Sequence, residues 1–123
     1  MITLQKIFDA AWQAFIVEGK PPAKRNGECR YLTNDGRKCA VGLCIPDGHS
    51  AQNLSRTFSY LVEWAPSLFD ASVRSVGSER LDRFQRELHD NIAGDDGWLL
   101  TPDEMRNRYI LIAEEYGLTV PQE

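Results

Sequence analysis

The stretch Cys29-Arg30-Tyr31-Leu32-Thr33-Asn34-Asp35-Gly36-Arg37-Lys38-Cys39-Ala40-Val41-Gly42-Leu43-Cys44-Ile45-Pro46-Asp47 decides the fold. Asn34-Asp35-Gly36 brings together residues that tolerate positive φ, with Gly36 placed for a three-residue hairpin loop. Strands are expected near 29–33 and 37–41, in a register whose paired numbers sum to 70, so that Val41 opposes Cys29. Gly42 ends the second strand or opens a short helix, and Pro46-Asp47-Gly48 makes another turn. So little strand cannot build an extended sheet, so helices must cover the hairpin.

Those helices are written on both sides. Upstream, Thr3 can cap a helix running to about Glu18, with Gly19 to end it. Leu4, Ile7, Phe8, Ala11, Phe15 and Ile16 recur at helical spacing, and Trp12 widens the stripe. Lys20-Pro21-Pro22-Ala23-Lys24-Arg25-Asn26-Gly27 reads as an extended loop, because neither proline continues a helix. Downstream, Ser50 can begin a helix carrying Leu54, Phe58, Leu61 and Val62 that ends before Pro66. Residues 67–77 carry no decisive signal. Ser78 can cap a helix with Leu81, Phe84, Leu88 and Ile92 on one face, stopped by Gly94. Asp95-Asp96-Gly97 reads as a loop and Trp98-Leu99-Leu100 as an apolar plug. Thr101-Pro102-Asp103-Glu104 combines an N-cap, a proline at the first helical position and a glutamate at the third. That last helix buries Met105, Tyr109, Ile112, Ala113 and Tyr116 and ends at Gly117.

The expected fold is therefore α+β, mostly helical, with about four helices packed on one short antiparallel β-hairpin. It forms a single domain over 1–123: an amphipathic helix at 1–19, the hairpin segment at 28–47 and a helical remainder at 50–117. A chain of 123 residues with 42% hydrophobic and 26% charged residues has the composition of a folded domain. No apolar run reaches the roughly 20 residues that span a bilayer. The start, Met1-Ile2-Thr3-Leu4-Gln5-Lys6, lacks a secretory pattern, which points to the cytoplasm. Three cysteines make a poor disulfide framework and suit a reducing compartment.

Net charge is −4, unevenly spread: residues 1–62 hold 8 Lys/Arg and 5 Asp/Glu, residues 63–123 hold 6 and 13. A chain that wraps nucleic acid needs a concentrated basic face, so nucleic acid is a disfavoured partner.

Four constellations could carry chemistry. Cys29, Cys39, Cys44 and His49 are four soft ligands, but zinc sites favour pairs two to four residues apart, and no metal or other cofactor is assigned. A Cys29–Cys39 disulfide is disfavoured because the two would be diagonal neighbours at roughly 7–8 Å. Cys39 with His89 could form a thiol–imidazole pair, Arg37 and Lys38 lowering the thiol pKa. Asp90 is a poor orienter for His89, since adjacent α-helical residues point about 100° apart. Lys20, Lys24, Arg25, Arg30, Arg37 and Lys38, with Tyr31 interleaved, make a basic patch. Within it Arg30, Tyr31, Arg37 and Lys38 are the expected binding residues. Calcium-loop, Walker and dinucleotide glycine patterns are missing. Trp12, Trp64 and Trp98 are expected in the core, and an exposed one would mark an interface anchor.

The pattern Cys29-x-Tyr31, Asp35-Gly36-x-x-Cys39-Ala40-Val41-Gly42, Ile45-Pro46-Asp47 resembles a signature in a family of small uncharacterised proteins of bacteria and their phages. Gln85-Arg86-Glu87-Leu88-His89-Asp90 is similar to a later segment of those chains. The specific part covers about 19 residues and implies a phage or prophage origin rather than an activity. At position 49 this chain has His where that family leads one to expect a bulky aromatic, which argues against His49 as a shared ligand. The leading expectation is a non-enzymatic protein that binds and modulates a host protein, in host defence or takeover. A Cys39–His89 thiol enzyme and an RNA-binding module are the alternatives.

Overall fold

In the computed structural model, which describes residues 1–25, 28–54 and 56–121, the chain is α+β and mostly helical. Helix α1 (Leu4–Ala11) starts where the Thr3 hydroxyl accepts the Lys6 N–H. Its helical path continues through Trp12–Val17 with wider, π-type turns and ends at Gly19, in the left-handed region at φ 68°. Wide turns of this kind shift the face a helix presents.

The hairpin differs from expectation in an instructive way. Gly36 (φ 85°) makes the turn, and Leu32 pairs with Lys38 in the expected register, the Thr33 N–H donating to the Arg37 carbonyl. Pairing stops there. Val41 does not oppose Cys29, because the chain turns after Cys39 and Gly42–Cys44 form a short 3₁₀ turn. A Cβ on Gly42 would stand 2.0 Å from the Tyr31 carbonyl oxygen, so glycine permits this close crossing. Strand β2 (Glu28–Cys29) pairs instead with β1 (Lys24–Arg25), with Lys24 opposite Cys29. The upstream loop thus contributes a strand, and helix α1 packs on the Gly42–Cys44 turn.

The helix expected from Ser50 is split. His49, not Ser50, caps a 3₁₀ turn at Ser50–Asn53, its Nδ1 accepting the Ala51 N–H. Leu54 is extended, and α2 (Phe58–Trp64) begins under a Thr57 cap. After a 3₁₀ turn at Pro66–Leu68, Phe69 bridges to Ile2 in parallel, and α3 (Ala71–Arg74) starts under Asp70. Helix α4 (Ser78–Gln85) has Gly77 rather than Ser78 at its cap and runs on in π-type turns through Arg86–Asp90. Asp95-Asp96 then joins a second small hairpin, β3 (Ala93–Gly94) with β4 (Gly97–Trp98), where only a loop was expected. Helix α5 (Pro102–Tyr116) carries the full reciprocal capping box of Thr101 and Glu104 and ends at left-handed Gly117.

One core runs through these elements, including Phe8, Phe58, Phe69, Phe84 and Tyr109. Each such side chain contributes about 1.5–3 kcal/mol on burial. Polar ties lock the helices over it. Tyr109 donates to the Leu88 carbonyl at 2.6 Å, and Arg83 bridges Glu87 and Glu115 between α4 and α5. Among the described residues no helix is long and apolar enough to cross a membrane.

Candidate functional site

The wide turn after α4 places two consecutive functional groups, His89 and Asp90. In an α-helix Asp90 would swing away from His89. Here the Asn91 N–H reaches back five residues to the Arg86 carbonyl, and the looser turn leaves His89 Nδ1 2.7 Å from Asp90 Oδ1. The expectation that Asp90 orients His89 poorly is thereby corrected. On the other edge of the ring, Nε2 accepts the Ala23 N–H at 2.9 Å. His89 is fully buried, packed by Phe15 and edge-on to Trp98, whose indole N–H donates to the Lys20 carbonyl.

Gln85, one turn before His89, extends this network. Its amide N–H₂ donates to Asp90 and its Oε1 accepts the Val41 N–H at 3.2 Å. Gln85 went unread as a functional residue, although its spacing from His89 puts it on the same helical side. Cys39 lies alongside, fully buried, with Sγ accepting the Gly42 N–H at 3.3 Å. Burial, reinforced by the charge of Asp90, pushes the Cys39 thiol well above its ordinary value. Arg37 and Lys38 do not counter this. The Arg37 guanidinium bonds Asp35 and the Lys24 and Asp95 carbonyls, and Lys38 pairs with Asp47. Cys39 and His89 therefore share a buried network but not a bond: both ring nitrogens are held by other groups.

The expected binding residues divide between two places. Arg30 and Tyr31 line a pocket of about 170 Å³ between the hairpin segment and α4, with Cys39 and Gln85 in its wall. Arg37 and Lys38 line a separate depression with Lys20. Tyr31 is itself buried, its hydroxyl donating to the Arg56 carbonyl, and burial raises its pKa. The pocket also recruits Arg56, Asp82, Arg86 and Asp90, residues scattered along the sequence with no shared motif.

Of the possible metal ligands, the Cys29 side chain lies outside the described residues, as does that of Arg25 from the basic patch. Cys44 is half-buried, burial raising its thiol to about 11, and His49 uses Nδ1 as a cap. Among the described residues no three His, Cys, Asp or Glu side chains are grouped around a common point that could hold a metal ion.

The tryptophans also divide. Trp12 is buried and Trp98 half-buried, but Trp64 is 46% exposed, with Tyr60 39% exposed one turn earlier on α2. The Arg56 guanidinium sits over the Tyr60 ring at 5.0 Å. Compared with known proteins, the chain matches no family model, no curated protein and no solved structure.

Proposed function

We propose that the protein is a non-enzymatic binding protein that holds a partner protein on the outer face of α2 and modulates it by occupying its surface. The observation that carries this reading is Trp64, a large aromatic left in water with Tyr60 and Arg56 beside it. Trp, Tyr and Arg are the residue types that most often dominate protein–protein binding energy. Their apolar surface, about 25 cal/mol per Å² when removed from water, is recovered only against a partner.

The buried chemistry supports the same reading. A thiol enzyme needs an accessible thiolate beside a free imidazole nitrogen, whereas Cys39 is buried with a raised pKa and His89 spends both nitrogens internally. An RNA module needs cations free to meet phosphate, whereas Arg37 and Lys38 bond within the fold. The resemblance to small bacterial and phage proteins makes a host protein the natural partner, in defence or takeover.

The test compares the native chain with a Tyr60→Ala/Trp64→Ala variant as baits in bacterial lysate, followed by affinity measurement on the retained protein. A partner held by the native chain and weakened about 30-fold or more by the variant, with an unchanged circular dichroism spectrum, is the expected result. Equal retention of the same proteins by both baits would remove α2 as the binding face.

A further inference from the structure

Helix α5 buries Met105, Tyr109, Ile112 and Ala113 against the core, yet on its outer side Leu111 is 65% exposed. Leu111 lines a groove of about 520 Å³ together with Leu100, Asn107, Arg108 and Glu115. A large apolar side chain standing between polar neighbours at helical spacing is the pattern of a helix face that packs on another helix.

Helical geometry fixes where those neighbours stand. Arg108 lies about 4.5 Å before Leu111 along the axis and Glu115 about 6 Å after it, both about 40–60° round on one side. Asn107 and Glu114, both exposed, flank Leu111 in the same way on the other side. Among the described residues Arg108 makes no hydrogen bond or ion pair within the chain. Glu115 gives Oε1 to Arg83 at 2.6 Å, and its Oε2 stays available.

This face is its own complement. When a second α5 lies antiparallel with the two Leu111 side chains in contact, heights reverse while each side faces itself across the two-fold axis. Arg108 of each copy then stands opposite Glu115 of the other, and Asn107 opposite Glu114. A parallel pairing would instead set arginine against arginine and glutamate against glutamate. The helix dipoles also favour the antiparallel arrangement.

We propose that two copies of this chain associate through antiparallel α5 helices, with Leu111 at the two-fold axis and Arg108 bonded to Glu115 of the other copy. Arginine–carboxylate bonds of this kind are about twice as strong as neutral ones. The apolar contact is small, so the dissociation constant is expected at roughly 10–100 μM. Tyr60 and Trp64 lie on α2, so the proposal stands apart from the α2 reading and its test needs no other protein.

Sedimentation equilibrium of the full chain from about 5 to 500 μM, at physiological salt, reads the association directly. A monomer–dimer equilibrium is expected for the native chain. Leu111→Asp is expected to abolish it and leave thermal unfolding unchanged. Arg108→Glu and Glu115→Arg are each expected to weaken it about tenfold or more, and the double exchange Arg108→Glu/Glu115→Arg to restore it within about threefold. Should Glu115→Arg disturb the fold by releasing Arg83, Arg108→Glu and Leu111→Asp carry the test alone. A native chain monomeric at 500 μM, which would leave the face to a different occupant, overturns the proposal. So does a dimer indifferent to Leu111→Asp, or a folded double exchange no tighter than the single variants.

Discussion

The Nε2 atom of His89 accepts the backbone N–H of Ala23 at 2.9 Å, tying the wide turn after α4 to the segment that opens β1, 66 residues earlier. An accepting Nε2 carries no proton, so the ring proton is on Nδ1 and is donated to Asp90. The imidazole is thus a two-sided clasp between segments that share no local sequence.

Replacing His89 by Leu leaves the Ala23 N–H and Asp90 without their ring partners in a buried setting. The expected cost is about 2–4 kcal/mol in urea unfolding, because an orphaned buried donor forfeits its full desolvation energy. Asp90→Asn keeps a carbonyl oxygen for the Nδ1 proton and is expected to cost about 1 kcal/mol. A His89→Leu chain as stable as the native one would show that the clasp does not hold the fold.

Gly42 and Gly36 separate two reasons for glycine. Alanine at 42 would drive its Cβ into the Tyr31 carbonyl, between backbone segments that cannot yield cheaply. A loss of about 3 kcal/mol or outright misfolding is expected. Gly36 has open space around its Cβ direction but a φ of 85°, so Gly36→Ala is expected to cost only about 1 kcal/mol. Thermal unfolding of both variants checks the order, and a milder effect at 42 than at 36 would contradict the close crossing.

Thiol labelling distinguishes structural from reactive cysteines. With its pKa raised to about 11 by burial, Cys44 holds far less thiolate at pH 8 than an unperturbed cysteine. Its alkylation by iodoacetamide is expected to be about 100-fold slower, read at peptide level by mass spectrometry. Cys39 is expected to label only on unfolding, since it is buried and its pKa is raised further. Either thiol reacting faster than free cysteine would favour the Cys39–His89 enzyme over the binding reading.

The start of α5 is expected to loosen in acid. The Thr101 N–H, bonded to the Glu104 carboxylate at 2.9 Å, and the Thr101 hydroxyl hold that carboxyl below its ordinary 4.5. A depressed carboxylate pKa contributes stability above the unfolded value, and this is lost as pH falls through the folded value. Carboxyl ¹³C titration should place the Glu104 midpoint below 4.5, with Thr101 amide exchange accelerating below it. Glu104→Gln keeps an acceptor oxygen and is expected to abolish this local pH dependence; unchanged acid behaviour in that variant would assign it to another group.

Local signals were readable wherever a few neighbouring residues complete the interaction. Thr101, Pro102 and Glu104 satisfy the first turn of α5 among themselves, and Gly117 closes it. Asn34-Asp35-Gly36 sets the register of Leu32 with Lys38. Tyr60 and Trp64 are exposed, which corrects the expectation of Trp64 in the core. They lie about 200° and 240° round the helix from Phe58, opposite the face shared by Leu61 and Val62. The break at Leu54 was harder, because the apolar spacing runs on across it and only the Thr57 cap marks the new start.

By itself, the sequence determined the α+β class, α1, α5 and the tight turn between Leu32 and Lys38, since each rests on caps, φ preferences and periodicity within a few residues. Only the tertiary structure decided that Cys39 and His89 share a network without bonding, that Lys24 replaces Val41 opposite Cys29, and that Arg30, Arg56 and Arg86 line one pocket. These outcomes depend on the wide turns after α1 and α4 and on the Gly42–Tyr31 crossing. Their energies come from buried groups far apart in the chain, which must find partners once water is excluded.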